Sequence, residues 1–69
     1  MNEGIEVIKK QVQVYFEKNI PIHLELKDGH FYNGRITLVS SDYFMLDEKL
    51  LGDMPVFYQL IDKLEVYEK

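Results

Sequence analysis

A chain of 69 residues has room for one small hydrophobic core, and it reads as a single domain over residues 1–69. It contains no cysteine, which excludes disulfides and zinc–thiolate sites as supports for that core. A formal net charge of −4 excludes binding of nucleic acid by bulk electrostatics, because neutralising phosphates needs clustered Lys and Arg.

The N-terminus carries no basic segment followed by an apolar run, so no signal peptide is expected. No apolar stretch approaches the roughly 20 residues that span a bilayer. The expected setting is cytoplasmic, with no membrane partner.

Residues 2–18 read as a helix. Ile5, Ile8, Val12 and Tyr15 or Phe16 recur at spacings of three and four. Asn2 can cap the start, and Glu3 and Glu6 suit the positive end of the helix dipole. Lys18 and Asn19 suit the last turn and the C-cap, with Pro21 close behind. Val7 and Val14 lie off the main stripe, which points to contacts on two sides of the helix.

A barrel is expected over residues 20–67. Its first part is a hairpin. Ile20, Ile22, Leu24 and Leu26 alternate with polar residues, as do Tyr32, Gly34, Ile36 and Leu38, around Asp28-Gly29. Opposed residues share a face, which settles the loop length. A two-residue turn would set Leu24 against Asn33. A three-residue loop over Lys27–Gly29, with Gly29 left-handed, pairs Leu24 with Tyr32, Ile22 with Gly34 and Ile20 with Ile36. Gly34 then marks a sharp bend or the close approach of another backbone inside a long strand. Asp28, Gly29 and Gly34 are thus the structural positions of this segment.

Ser40-Ser41-Asp42 is a polar turn, and Tyr43–Leu46 a strand buried on both faces. Asp47–Asp53 is expected to be an exposed connection. Met54–Leu60 follows as a fourth strand with Pro55 at its start, and Ile61–Tyr67 as a fifth. Met54–Leu60 contains no charge, and an exposed edge strand is normally blunted by charge, a central proline or a bulge. Met54, Val56, Phe57, Tyr58, Leu60, Leu64 and Val66 are therefore the expected oligomer interface. The class is mainly β: an N-terminal helix, then five strongly bent antiparallel strands that close into a barrel.

Constellations for chemistry are lacking. His23 and His30 share no acidic partner at metal-ligand spacing, so no metal is assigned. There is no Ser–His–Asp set, no glycine-rich phosphate loop and no cofactor motif, and the neighbouring Asp47 and Glu48 would face opposite ways on a strand. A non-enzyme is expected. The aromatics Phe31, Tyr32, Tyr43, Phe44, Phe57 and Tyr58 serve either as core or as stacking platforms for bases.

The order of elements resembles the Sm/Lsm family, including bacterial Hfq-like proteins. IHLELKDGHFYNGRITLV is similar to the first Sm motif, with an aromatic two residues before Gly34 and an aliphatic two after it; VFYQLI is similar to the start of the second. The resemblance implies a homo-oligomeric ring in which the fourth strand of one subunit pairs with the fifth of the next. It also implies single-stranded RNA as a partner, with Ser40, Ser41, Asp42, Phe44, Tyr58 and Gln59 in the RNA-binding positions. The family has Asp and Asn six and ten residues after the motif glycine, where this chain has Ser40 and Phe44; a shifted register would use Asp42 as the acid. Tyr58-Gln59 stands where the family carries Arg-Gly or Lys-His. An oligomeric scaffold for proteins, with little RNA binding, is the alternative.

Overall fold

The computed structural model describes residues 3–68. Helix α1 (Glu3–Glu17) precedes strands β1 (Ile22–Leu26), β2 (Phe31–Val39), β3 (Tyr43–Glu48) and β4 (Gly52–Phe57). A 3₁₀ turn (Tyr58–Leu60) then leads into β5 (Ile61–Val66). The five strands form one antiparallel sheet in the order β4-β3-β2-β1-β5. The sheet is strongly bent and does not close on itself, so β4 and β5 are its two edges.

The helix buries the stripe that its spacing predicts. Val12 is fully buried, and Ile5, Ile8 and Tyr15 pack against the core. Tyr15 fills the position that the sequence left open, while Phe16 is exposed; Val7 and Val14 face solvent within the subunit. The expected cap Asn2 lies outside the described residues, as does the side chain of Glu3. At the other end Asn19 adopts φ 55°. The Asn19 N–H donates to Phe16 O (3.2 Å) and the Ile20 N–H to Tyr15 O (2.9 Å), the two bonds of a Schellman cap. This cap commits Ile20 to the helix end. β1 therefore begins at Ile22, and the expected Ile20–Ile36 pair does not form; on the other edge of β2, Ile36 pairs with Leu46.

The hairpin has the three-residue loop. Leu24 opposes Tyr32 and Ile22 opposes Gly34. Gly29 has φ 94°, and Asp28 Oδ1 accepts the His30 N–H at 3.0 Å, closing the turn locally. That N–H, and then the His30 ring, hold the Asp28 carboxyl below the usual range.

β3 runs further than expected, to Glu48, and shortens the connection to Lys49–Leu51. The cause is Glu48 itself. Its residue is buried, and its carboxylate accepts the N–H groups of Leu50 (2.8 Å), Leu51 (3.0 Å) and Asn33 (3.3 Å). These bonds hold its carboxyl below the usual glutamate range. Pro55 sits inside β4, opposite Met45, rather than at its start. An edge strand tolerates the missing donor. β4 stops at Phe57 because Tyr58 turns into the core, and residues 58–60 are a 3₁₀ turn rather than strand. That turn carries the chain across to pair β5 with β1.

One core results. Ile22, Leu24, Ile36, Phe44, Leu46, Val56, Tyr58 and Ile61 line the inside of the bent sheet, and Val12 joins them from the helix. Burial of such side chains contributes roughly 1.5–3 kcal/mol each.

Candidate nucleic-acid interface

A cleft of about 320 Å³ opens where three segments meet, lined by Ile5, Lys9, Ser41, Asp42, Phe57, Tyr58 and Gln59. Ile5 and Lys9, four residues apart, come from one face of α1. Ser41 and Asp42 come from the β2–β3 turn, and Phe57, Tyr58 and Gln59 from the end of β4 and the 3₁₀ turn.

Tyr58 joins these segments. Its hydroxyl donates to Ser40 O at 2.8 Å, and its N–H donates to Asp42 O at 3.2 Å. Its ring lies 5.7 Å from that of Phe44, tilted by 41°. Lys9 Nζ stands 5.5 Å from its centroid, a cation–π distance. Burial pushes the Tyr58 hydroxyl pKa up, and the negative charge of Asp42 adds to it, so the group remains a donor. The Ser40 N–H donates to Tyr43 O at 2.9 Å and closes the turn from the other side. The turn is thus anchored at both ends, with Ser41 and Asp42 exposed between them.

Ser41, Asp42, Tyr58 and Gln59, all read from the sequence as RNA-binding, converge in this cleft. Ser40 contributes its carbonyl to Tyr58. Two stacking expectations need correction. Phe44 is fully buried and Tyr58 is 2 % exposed, so neither ring offers a free face to a base. Phe44 points inward because it pairs with the equally buried Val56 across β3 and β4. The exposed aromatic at the cleft is Phe57, 42 % accessible, with its ring 5.6 Å from Tyr43. The sequence alone placed Phe57 in the oligomer interface and gave the cleft no residue of α1. Nothing local in either segment says that α1 lies over the 3₁₀ turn.

The expected interface residues divide in the same way. Val56 and Tyr58 belong to the subunit's own core, and Met54 and Leu64 pack against it. Phe57, Leu60 and Val66 are exposed. They lie on or beside the two sheet edges that have no partner strand among the described residues.

The histidines are separate. The His23 side chain hydrogen-bonds Asn33 across β1 and β2, whereas His30 lies 3.0 Å from Asp28 at the hairpin tip. Among the described residues no group of three or more His, Cys, Asp or Glu side chains is arranged to hold a metal ion. No described helix is long and apolar enough to cross a membrane.

No family model matches the sequence, and no curated protein matches it. The three-dimensional structure does find neighbours. The 1.55 Å crystal structure of the pleiotropic translational regulator Hfq superposes with a TM-score of 0.76, covering 87 % of this chain and 98 % of that one. The fold is Sm-like, of the Hfq type. Identity with that chain is 12 %, so what is shared is the Hfq-like backbone: a leading helix and five bent antiparallel strands.

Proposed function

We propose that this chain is the subunit of a homo-oligomeric ring in the cytoplasm that binds single-stranded RNA without catalysing a reaction. The observation that carries the reading is the cleft at the end of the β4 edge. It combines an ammonium group (Lys9), an exposed aromatic ring (Phe57) and hydrogen-bonding side chains (Ser41, Asp42, Gln59). A cation for phosphate, a ring for stacking and polar groups for a base edge are the elements of single-strand recognition. That a translational regulator has the same fold supports an RNA ligand.

Ring assembly is supported by the two edges. β4 and β5 end the sheet on opposite sides, so β4 of one copy can add to β5 of the next. The contact is head-to-tail and closes when the rotation per subunit fits. Leu60 and Val66 would lose their exposed apolar surface in it. With a net charge of −4, RNA affinity depends on few phosphate contacts and is weaker than that of a basic ring.

The scaffold reading has its own observation. Leu50 and Leu51, 91 % and 67 % exposed, form an apolar tip at the β3–β4 turn, away from the cleft. Such a tip suits a protein partner. Sedimentation of the purified protein, with anisotropy titrations of labelled single-stranded RNA at low and moderate salt, separates the two. A ring that binds RNA with an affinity falling as salt rises supports the first reading. A ring that binds no RNA at low salt leaves the scaffold, and a folded monomer at micromolar concentration refutes both.

A further inference from the structure

Resting on the RNA-binding reading, we propose that the cleft selects guanine over uracil and that the Asp42 carboxylate sets this preference. Asp42 lies between two fixed points: its carbonyl accepts the Tyr58 N–H at 3.2 Å, and the Ser40 N–H to Tyr43 O bond closes the turn behind it. Asp42 is exposed and lines the cleft, and its carboxylate takes part in none of the side-chain hydrogen bonds among the described residues. The one ion pair among the described residues joins His30 to Asp28, so Lys9 and Asp42 line the same cleft without pairing with each other. The cleft therefore presents a carboxylate that accepts no side-chain hydrogen bond and, over the Tyr58 ring, a cation with no carboxylate partner among the described residues.

An ionised carboxylate is an acceptor only. Among the four RNA bases, guanine alone offers two parallel donors on its Watson–Crick edge, N1–H and the 2-amino N–H. They can bond both carboxylate oxygens at once, as a guanidinium does. Uracil sets its single N3–H between two carbonyl oxygens, which would face the carboxylate lone pairs. Adenine and cytosine each place one amino donor beside a ring-nitrogen acceptor. The carboxylate thus attracts one base and repels part of the edge of the other three, the combination that makes selection effective. Lys9 supplies a donor for guanine O6 or N7, or for a phosphate. The exposed Phe57 ring offers a stacking surface at the rim. A bidentate pair of this kind discriminates by about 10-fold or more.

The test is fluorescence anisotropy at low salt with a labelled uridine oligomer and the same oligomer carrying guanine, or inosine, at alternate positions. The guanine oligomer is expected to bind the unaltered protein about 10-fold more tightly than the uridine oligomer. Inosine keeps N1–H but lacks the 2-amino group, and is expected to lose most of the gain. Asp42→Asn presents one donor and one acceptor, and is expected to shift the preference toward uracil. Equal affinity for guanine and uridine oligomers overturns the proposal, as does a guanine preference that persists in Asp42→Asn. If Asp42→Asn does not fold, the inosine comparison on the unaltered protein decides: inosine equal to guanine overturns it. If no oligomer binds, the RNA reading itself fails and this proposal falls with it, a result distinct from binding without preference.

Discussion

A Cβ atom on Gly34 would sit 2.8 Å from the carbonyl carbon of Asp47 and nearer still to its oxygen. The obstacle is backbone, on the neighbouring β3 rather than the Ile22 side chain across β1, so rotation of a side chain cannot relieve it. Gly34 lies where the β3 backbone closes over β2. Gly34→Ala is therefore expected to lower stability by about 1–3 kcal/mol, as overpacking does, and Gly34→Val by more. Urea or thermal unfolding measures this; an unchanged midpoint for Gly34→Ala would remove the close approach from the account.

Glu48 couples stability to acid. Its folded-state pKa is depressed, so its contribution is fully present above the ordinary glutamate range. It is lost as pH falls through the lower folded-state value. Glu48→Gln is expected to lower the melting temperature at neutral pH and to flatten the loss of stability on acidification. Thermal melts of both proteins from neutral to acidic pH provide the measurement, and parallel curves would count against this role.

Tyr58→Phe deletes the bond to Ser40 O and leaves that carbonyl without its hydroxyl partner. The expected cost is about 0.5–1.5 kcal/mol, with the fold retained. Crystallography or hydrogen exchange of the variant is expected to locate the change at residues 40–43, the turn that presents Asp42.

Assembly is best tested away from the core. Phe57→Asp adds charge to an exposed position on the β4 edge and is expected to lower the oligomeric state while the subunit stays folded. Tyr58→Asp is a poorer probe, because Tyr58 is buried and the variant is expected to unfold. Sedimentation velocity with circular dichroism distinguishes these outcomes. An undiminished ring from Phe57→Asp would place the interface elsewhere.

Lys9→Gln removes the cation of the cleft. RNA affinity is expected to fall across all base sequences, and the slope of log affinity against log salt to shrink by about 0.7 for one lost phosphate contact. A variant with unaltered affinity and slope would take Lys9 out of the interface.

Local patterning was enough for the helix, the hairpin register and the glycine positions. Period-two alternation around Asp28-Gly29 admits one register that puts Leu24 and Tyr32 on a common face, and that register is the one observed. Asn19 at the helix end and Gly29 in the loop have the positive φ values that their residue types favour. Where the chain stops being strand was decided elsewhere. Glu48 extends β3 because its carboxylate finds the N–H groups of Leu50, Leu51 and Asn33, the last of them on a different strand. Tyr58 ends β4 because the core has a place for its ring and Ser40 an acceptor for its hydroxyl. The cleft belongs to the same category. Ser41, Asp42 and Gln59 could be named from a motif, but the choice of Phe57 over Phe44 as the exposed ring depends on which face of β3 and β4 turns inward. Lys9 reaches the site only because α1 packs beside the 3₁₀ turn. Alternation and turn chemistry act between near neighbours and are written in the chain; the meeting of residues 9, 42 and 57 depends on the bend of the whole sheet, which no local segment encodes.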